Sequence, residues 1–204
     1  MMSQSGRDPL VWAAMFAANA DAPGSGDYCL RCHVAKGWLE GRSHPVDGSA
    51  LELSDTNDGV ACTLCHRMVD PIPSLDDEAS ALDLAIRDAL TAPVPADYVG
   101  SSTYIVDPAD NRRGPFSFDD EMPYHSAYQT DFLGQGGDPI AQSRLCGTCH
   151  NLDNPLLAWD ADKQQYWPNE MDAAASAFEN GALFPIERTF DEWLYSAYAR
   201  GGVY

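Results

Sequence analysis

Cys29-Leu30-Arg31-Cys32-His33, Cys62-Thr63-Leu64-Cys65-His66 and Cys146-Gly147-Thr148-Cys149-His150 are three copies of one pattern, Cys-x-x-Cys-His. Together they use all six cysteines and three of the five histidines of the 204-residue chain. The pattern is that of covalent c-type haem attachment. Two thiols add across the two vinyl groups of a haem, and the histidine after the second cysteine offers a ring nitrogen to one face of the iron. On this reading Cys29, Cys32, Cys62, Cys65, Cys146 and Cys149 tether three covalent haems c, with His33, His66 and His150 as proximal iron ligands. The expected role is electron transfer rather than catalysis.

Other uses of paired cysteines fit less well. Zinc needs tetrahedral sets of four ligands, and nothing in its chemistry asks for a histidine directly after every second cysteine. A thioredoxin-like redox site would show one motif at the head of a helix after a strand, and the three motifs lack a βαβ context. Three disulfides in a secreted chain satisfy the even count, but bridges within Cys-x-x-Cys close tiny loops and constrain the unfolded chain little.

Divided among three haems, the chain offers about 68 residues to each (204/3), so the porphyrins are expected to supply much of the buried apolar surface. Twelve basic against 31 acidic residues give a formal charge of −19. Such a surface repels nucleic acid and anionic lipid, and favours basic redox partner proteins or cationic extracellular acceptors with salt-dependent association. No apolar run reaches the length of a membrane span. Met1 to Ala20 lacks a basic start and is interrupted by Asp8-Pro9, so no signal peptide is read there. Haem attachment outside the cytoplasmic membrane nonetheless implies a secretion signal, a mature chain, and a periplasmic or extracellular location.

The expected fold is mainly α with long irregular loops, dominated by its haems. Asp8 caps a helix with Pro9 at its first position, running to about Asn19. Ala22 to Gly26 reads as a turn. Asp27 opens a short helix carrying the first motif, and Gly41 ends it. Gly59 to Met68 carries the second motif and stops before Pro71 and Pro73. Ser74 with Asp77 resembles a capping box for a helix reaching about Leu90. From Pro93 to Pro139 only Thr103 to Val106 looks like a strand, and wrapping a cofactor explains so long a loop. Asn154 to Asn169 reads as another loop. Thr189 and Glu192 form a capping box for a last helix striped by Phe190, Trp193, Leu194, Ala197 and Tyr198, ended by Gly201. The motifs start 33 and then 84 residues apart (62 − 29, 146 − 62), which excludes a regular repeat. The spacing predicts a di-haem half over 1–92 and a mono-haem half over 93–204, joined near Thr91 to Ala96.

Three low-spin haems need two axial ligands each, six in all. After the proximal three, only His44 and His125 remain, and forming a homo-oligomer leaves the ratio of histidine to haem unchanged. At least one iron per chain therefore takes another ligand, stays open, or is served by a different protein. Methionine suits the odd site. Met68, two residues after His66, can hardly reach the opposite face, whereas Met1, Met2, Met15, Met122 and Met171 are free of that objection; Met2 or Met15 is favoured for the first haem, with His44 and His125 on the others and ordinary core filling as the alternative for each Met. The acidic stretch Asp55 to Gly59 misses the EF-hand spacing and reads as solvated.

In these motifs, and in SGRDPLVWAA, GWLEGRSHPVDGSAL, DGVACTLCHRMVDP, LCGTCHNLDNP and PIERTFDEWLYSAYARGG, the chain resembles bacterial multihaem c-type cytochromes of the cytochrome c-554-like group. The resemblance implies a haem-dominated, mainly helical fold and electron relay between closely packed macrocycles. The chain is also similar in size, acidity and haem density to extracellular cytochromes that polymerise into filaments, which implies a homopolymer or a hetero-complex subunit. Those proteins use histidine on both faces of each iron, which five histidines cannot provide here. The competing reading is a small nitrogen- or sulfur-oxyanion reductase or peroxidase acting at a haem with an open face. Arg67, Tyr124, Tyr128 or Arg144 could line its pocket, although propionate pairing or core packing accounts for each, and no Cys-x-x-Cys-Lys occurs. A purely structural role for haem is the third reading.

Overall fold

The structure is a computed structural model that describes residues 2–72, 78–90, 99–115, 127–129, 139–168 and 182–201. These fall into two compact units, Met1–His66 and Arg67–Tyr204.

In the first unit a 3₁₀ turn, Met2–Arg7, leads into α1 (Pro9–Asp21), α2 (Ser25–His33), α3 (Ala35–Leu39), α4 (Leu53–Asp58) and α5 (Cys62–Arg67), whose last residue already belongs to the second unit. α1 starts as its sequence requires. Pro9 sits where a missing N–H costs nothing, and the Asp8 carboxylate accepts from the Leu10 amide at 2.9 Å. The core is small and apolar: Met15 from α1 and Leu30 from α2 meet Val34, with Trp12, Cys29, Trp38 and Leu51 packed around them. Burying each of these large apolar side chains stabilises by roughly 1.5–3 kcal/mol. Gly26 lets α2 approach the 46 carbonyl so closely that a Cβ there would stand 1.8 Å from that oxygen. Asn19 fastens the same spot, donating to the Val46 carbonyl at 3.0 Å and accepting from the Gly26 amide at 2.7 Å.

The stretch Asp55 to Gly59 is not a solvated loop. Asp55 lies in α4, is fully buried, and accepts from Arg42 Nε at 2.7 Å and Nη2 at 2.6 Å. The Arg42 guanidinium holds the Asp55 carboxyl below the usual carboxylate range.

The second unit mixes helix and strand. β1 (Met68–Val69) pairs antiparallel with β2 (Ile105–Val106), and β3 (Arg112–Gly114) pairs parallel with β4 (Ala127–Gln129). α6 (Glu78–Asp88) and α7 (Pro139–Gly147) complete this part. An antiparallel sheet of order β6-β5-β7 follows, from β5 (Leu152–Asp160), β6 (Gln165–Pro168) and β7 (Leu183–Glu187). α8 (Thr189–Tyr195) and a 3₁₀ turn, Tyr198–Arg200, close the described chain.

Several expectations change here. Asn154 to Asn169 is not a loop: most of it is the β5–β6 hairpin, reversed by an Asx turn in which the Asp160 carboxylate accepts from the amides of Asp162 and Lys163, both at 3.0 Å. Thr189 is inside α8 rather than its cap. Arg188 holds the N-cap position, and Glu187 accepts from the Thr189 amide at 2.8 Å. The final helix also stops early, because the Ser196 hydroxyl turns back to the Trp193 carbonyl at 2.6 Å. The division falls at His66/Arg67 rather than near Thr91 to Ala96, since β1 pairs with β2 and Asp83 of α6 pairs with Arg113 of β3. Ser74 with Asp77, and most of Pro93 to Pro139, lie outside the described residues.

Buried charge organises the second unit. The Arg113 side chain is wholly enclosed and donates to Asp83 Oδ1 at 2.8 Å and Asp107 Oδ2 at 2.9 Å. Asp83 also accepts from the Asp70 amide at 3.0 Å, Asp107 from Asn111 Nδ2 at 3.0 Å, and Asp70 from Arg144 at 2.9 Å. Burial pushes the Asp83 carboxyl up, and Arg113 opposes that shift. Among the described residues no helix is long and apolar enough to cross a membrane.

Candidate functional site

Each Cys-x-x-Cys-His segment is wound into a helical turn. The first ends α2, the second lies within α5, and the third begins in the last turn of α7 and continues as turn, the His150 amide donating to the Cys146 carbonyl at 2.8 Å. Residues three and four apart share one face of a helix. The two cysteines (i, i+3) and the histidine (i+4) of each motif therefore stand on one side of their turn.

That side is the accessible one in all three copies, while at least one intervening residue is buried. Leu30 is buried between Cys29 and Cys32, Leu64 between Cys62 and Cys65, and both Gly147 and Thr148 between Cys146 and Cys149. None of the six cysteines or of His33, His66 and His150 is buried. The intervening residues thus root each turn in the protein and present two sulfurs and an imidazole together.

The fit to covalent haem rests on this donor set. No disulfide joins any of the six cysteines, and among the described residues no three His, Cys, Asp or Glu side chains gather as a metal-binding group. Partial desolvation raises the Cys29 thiol above its ordinary range, with neighbouring Cys32 adding to the shift, and desolvation raises the Cys146 thiol likewise although that residue stays open to solvent. A redox dithiol activates its attacking sulfur in the opposite direction.

The surroundings of the turns are specific. Ser5 Oγ donates to the His33 carbonyl at 2.6 Å and also lies 2.7 Å from the Met2 carbonyl. That carbonyl accepts from the Val60 amide at 3.3 Å, two residues before Cys62. The Met2–Arg7 turn therefore touches both the end of the first motif and the approach to the second. At the third motif the amides of Ser101 and Ser102 donate to the carbonyls of Asn151 (2.7 Å) and Thr148 (2.8 Å), and the Phe190 amide donates to that of His150 (2.9 Å). Orphan carbonyls past the end of α7 are thereby satisfied. Ser101 and Ser102 adopt φ of 48° and 58°, a left-handed pair that costs strain in exchange for these contacts. The turn packs on Phe190 so tightly that a Cβ on Gly147 would stand 2.7 Å from the ring.

The other candidates are dispersed. Met15 is 3 % exposed in the first unit's core, where it packs with Leu30 and Cys29. Met2 is 55 % exposed on the 3₁₀ turn. The His44 ring is 73 % exposed, with Nε2 3.9 Å from Asp27 Oδ1. His125 and Tyr124 lie outside the described residues, as does the side chain of Tyr128. Arg67 is engaged with the Asp107 carbonyl, at 3.0 Å from Nε, and Arg144 with Asp70 and the Ile72 carbonyl. Sequence reasoning missed Ser5, Ser101, Ser102 and Phe190, which act through backbone groups and leave no spacing pattern. Asn151 and Asp153, also missed, follow His150 directly: both are buried and meet Arg188, and that proximity was the available signal.

No family model, curated protein or solved structure matches the chain.

Proposed function

We propose that the chain is an electron-transfer protein of the multihaem c-type cytochrome kind, carrying three covalent haems c outside the cytoplasmic membrane. The observation that carries this reading is the threefold presentation of two thiols and one imidazole on the open side of a helical turn. When bound at such turns, haem iron supplies one-electron chemistry at a potential tuned by its axial ligands and surroundings. The chain's own part is to fix the groups. Cys29 and Cys32, Cys62 and Cys65, and Cys146 and Cys149 are the tethers, while His33, His66 and His150 hold an imidazole at each proximal face. Ser5 at the His33 carbonyl and Phe190 at the His150 carbonyl fix the backbone from which those rings project. With two attachment turns in one 66-residue unit, short hops between neighbouring centres are expected. The charge of −19 favours basic redox partner proteins or cationic extracellular acceptors, with association that weakens in salt, and a homopolymer or hetero-complex is compatible with it.

The test is the mass and spectrum of the natively matured protein. The expected result is a mass above that of the polypeptide by three haems, a Soret band, and three low-spin irons in both redox states. A mass equal to the amino acids alone, with no Soret band, overturns the reading. One observation favours the second reading, an oxidoreductase acting at one haem: five histidines cannot fill six axial positions. Rapid carbon monoxide binding at one centre of the reduced protein would select it.

A further inference from the structure

The back of α2 carries a cluster that the attachment face cannot share. Cys29, Cys32 and His33 lie on one side of the helix. At about 100° per residue, Asp27 stands about 160° round from Cys29, and Arg31 about 160° round in the other sense. Trp38 donates from Nε1 to Asp27 Oδ1 at 3.1 Å, and the Arg31 guanidinium lies over its ring, 4.8 Å from the centroid. His44 belongs to this group, since its Nε2 is 3.9 Å from the same Asp27 oxygen and most of its ring faces solvent.

A second axial ligand approaches an iron from the face opposite the first. For a haem tethered at Cys29 and Cys32 and held by His33, that approach comes from beyond the haem plane, with α2 on the near side. A ring near Asp27, which stands about 160° round α2 from Cys29, would have the helix between it and an iron held on the cysteine face. The other histidines of Met1–His66 are His33 itself and His66 of the second motif.

Resting on the haem reading of the motifs, we infer that His44 is not an axial ligand of the first haem, and that Met1–His66 gives that iron no second histidine. The first haem is then a centre whose second ligand comes either from His125 or from a residue that is not histidine. His44, exposed and near Asp27, remains available to a different iron.

The experiment uses the full matured chain. His44→Gln is compared with its parent by low-temperature paramagnetic resonance and near-infrared magnetic circular dichroism. The comparison is then repeated in a Cys29→Ala/Cys32→Ala background, whose mass should fall by one haem. The expected result is the same His44→Gln difference spectrum in both backgrounds, or none in either. A difference present in the parent and absent once the first haem is gone overturns the inference. If the double variant does not mature, nuclear Overhauser contacts in the parent decide: contact between the His44 ring and the first haem's thioether methyls overturns the inference, and contact with another haem or with none supports it. A parent chain that carries no haem mass would sink the functional reading instead, which separates the two failures.

Discussion

Leu30 and Thr148 do the same job in their two Cys-x-x-Cys-His turns with opposite means. Leu30 roots the first turn by pressing into Met15 and Val34, so apolar contact holds that turn from behind. Thr148 roots the third through hydrogen bonds: its hydroxyl donates to the Leu145 carbonyl at 2.7 Å, and its own carbonyl accepts from Ser102. Buried Asn151, Asp153, Asp83, Asp107 and Arg113 continue the polar character of the second unit. Presenting two sulfurs and an imidazole therefore requires a rigid turn and an open face, and the chemistry behind the turn is free to vary.

The largest expected effect comes from breaking the charged side of this comparison. Arg113→Ala strands Asp83 and Asp107 in the interior, and should destabilise the second unit by about 3–5 kcal/mol. Hydrogen exchange should accelerate within Arg67–Tyr204 and stay unchanged in Met1–His66, and equal acceleration in both would break the contrast. On the apolar side, Leu30→Ala should cost about 3 kcal/mol in denaturant unfolding, with exchange rising in the first unit instead.

A smaller effect separates equivalent positions of two motifs. Gly147→Ala drives a Cβ toward the Phe190 ring and should cost about 2 kcal/mol by overpacking, whereas Thr63→Ala, at the same motif position but exposed, should be neutral in the same thermal melts. The mildest test is electrostatic. The Asp55 carboxyl is held below its unfolded value by Arg42, so its contribution is fully present above about pH 4 and is lost as pH falls through the folded value. Asp55→Asn should flatten the acid limb of the stability profile of the first unit, and an unchanged limb would assign that limb to other carboxylates.

What was legible in the chain follows the same divide. Asp8-Pro9 announces α1 because capping and proline act on the residues beside them. The three motifs were readable for a like reason: their geometry is complete within five residues. Asp55 was misread because its partner, Arg42, lies thirteen positions away and only the folded chain brings them together. The β5–β6 hairpin was missed because the turn signal in Asp160-Ala161-Asp162 is an Asx contact rather than an Asn-Gly pair. The junction was placed too late because Arg67–Asp88 belongs with later residues through β1–β2 pairing and the Asp83–Arg113 contact, and neither leaves a local trace.

The raised thiols of Cys29 and Cys146 bear on how the first and third turns meet oxidants. Thiolate, not thiol, is the species that oxidants and mixed disulfides attack. A leading sulfur whose thiol is raised offers less thiolate to the vicinal bridge that would close its motif. The first and third turns thereby keep a leading sulfur in the thiol form that the proposed haem attachment would draw on.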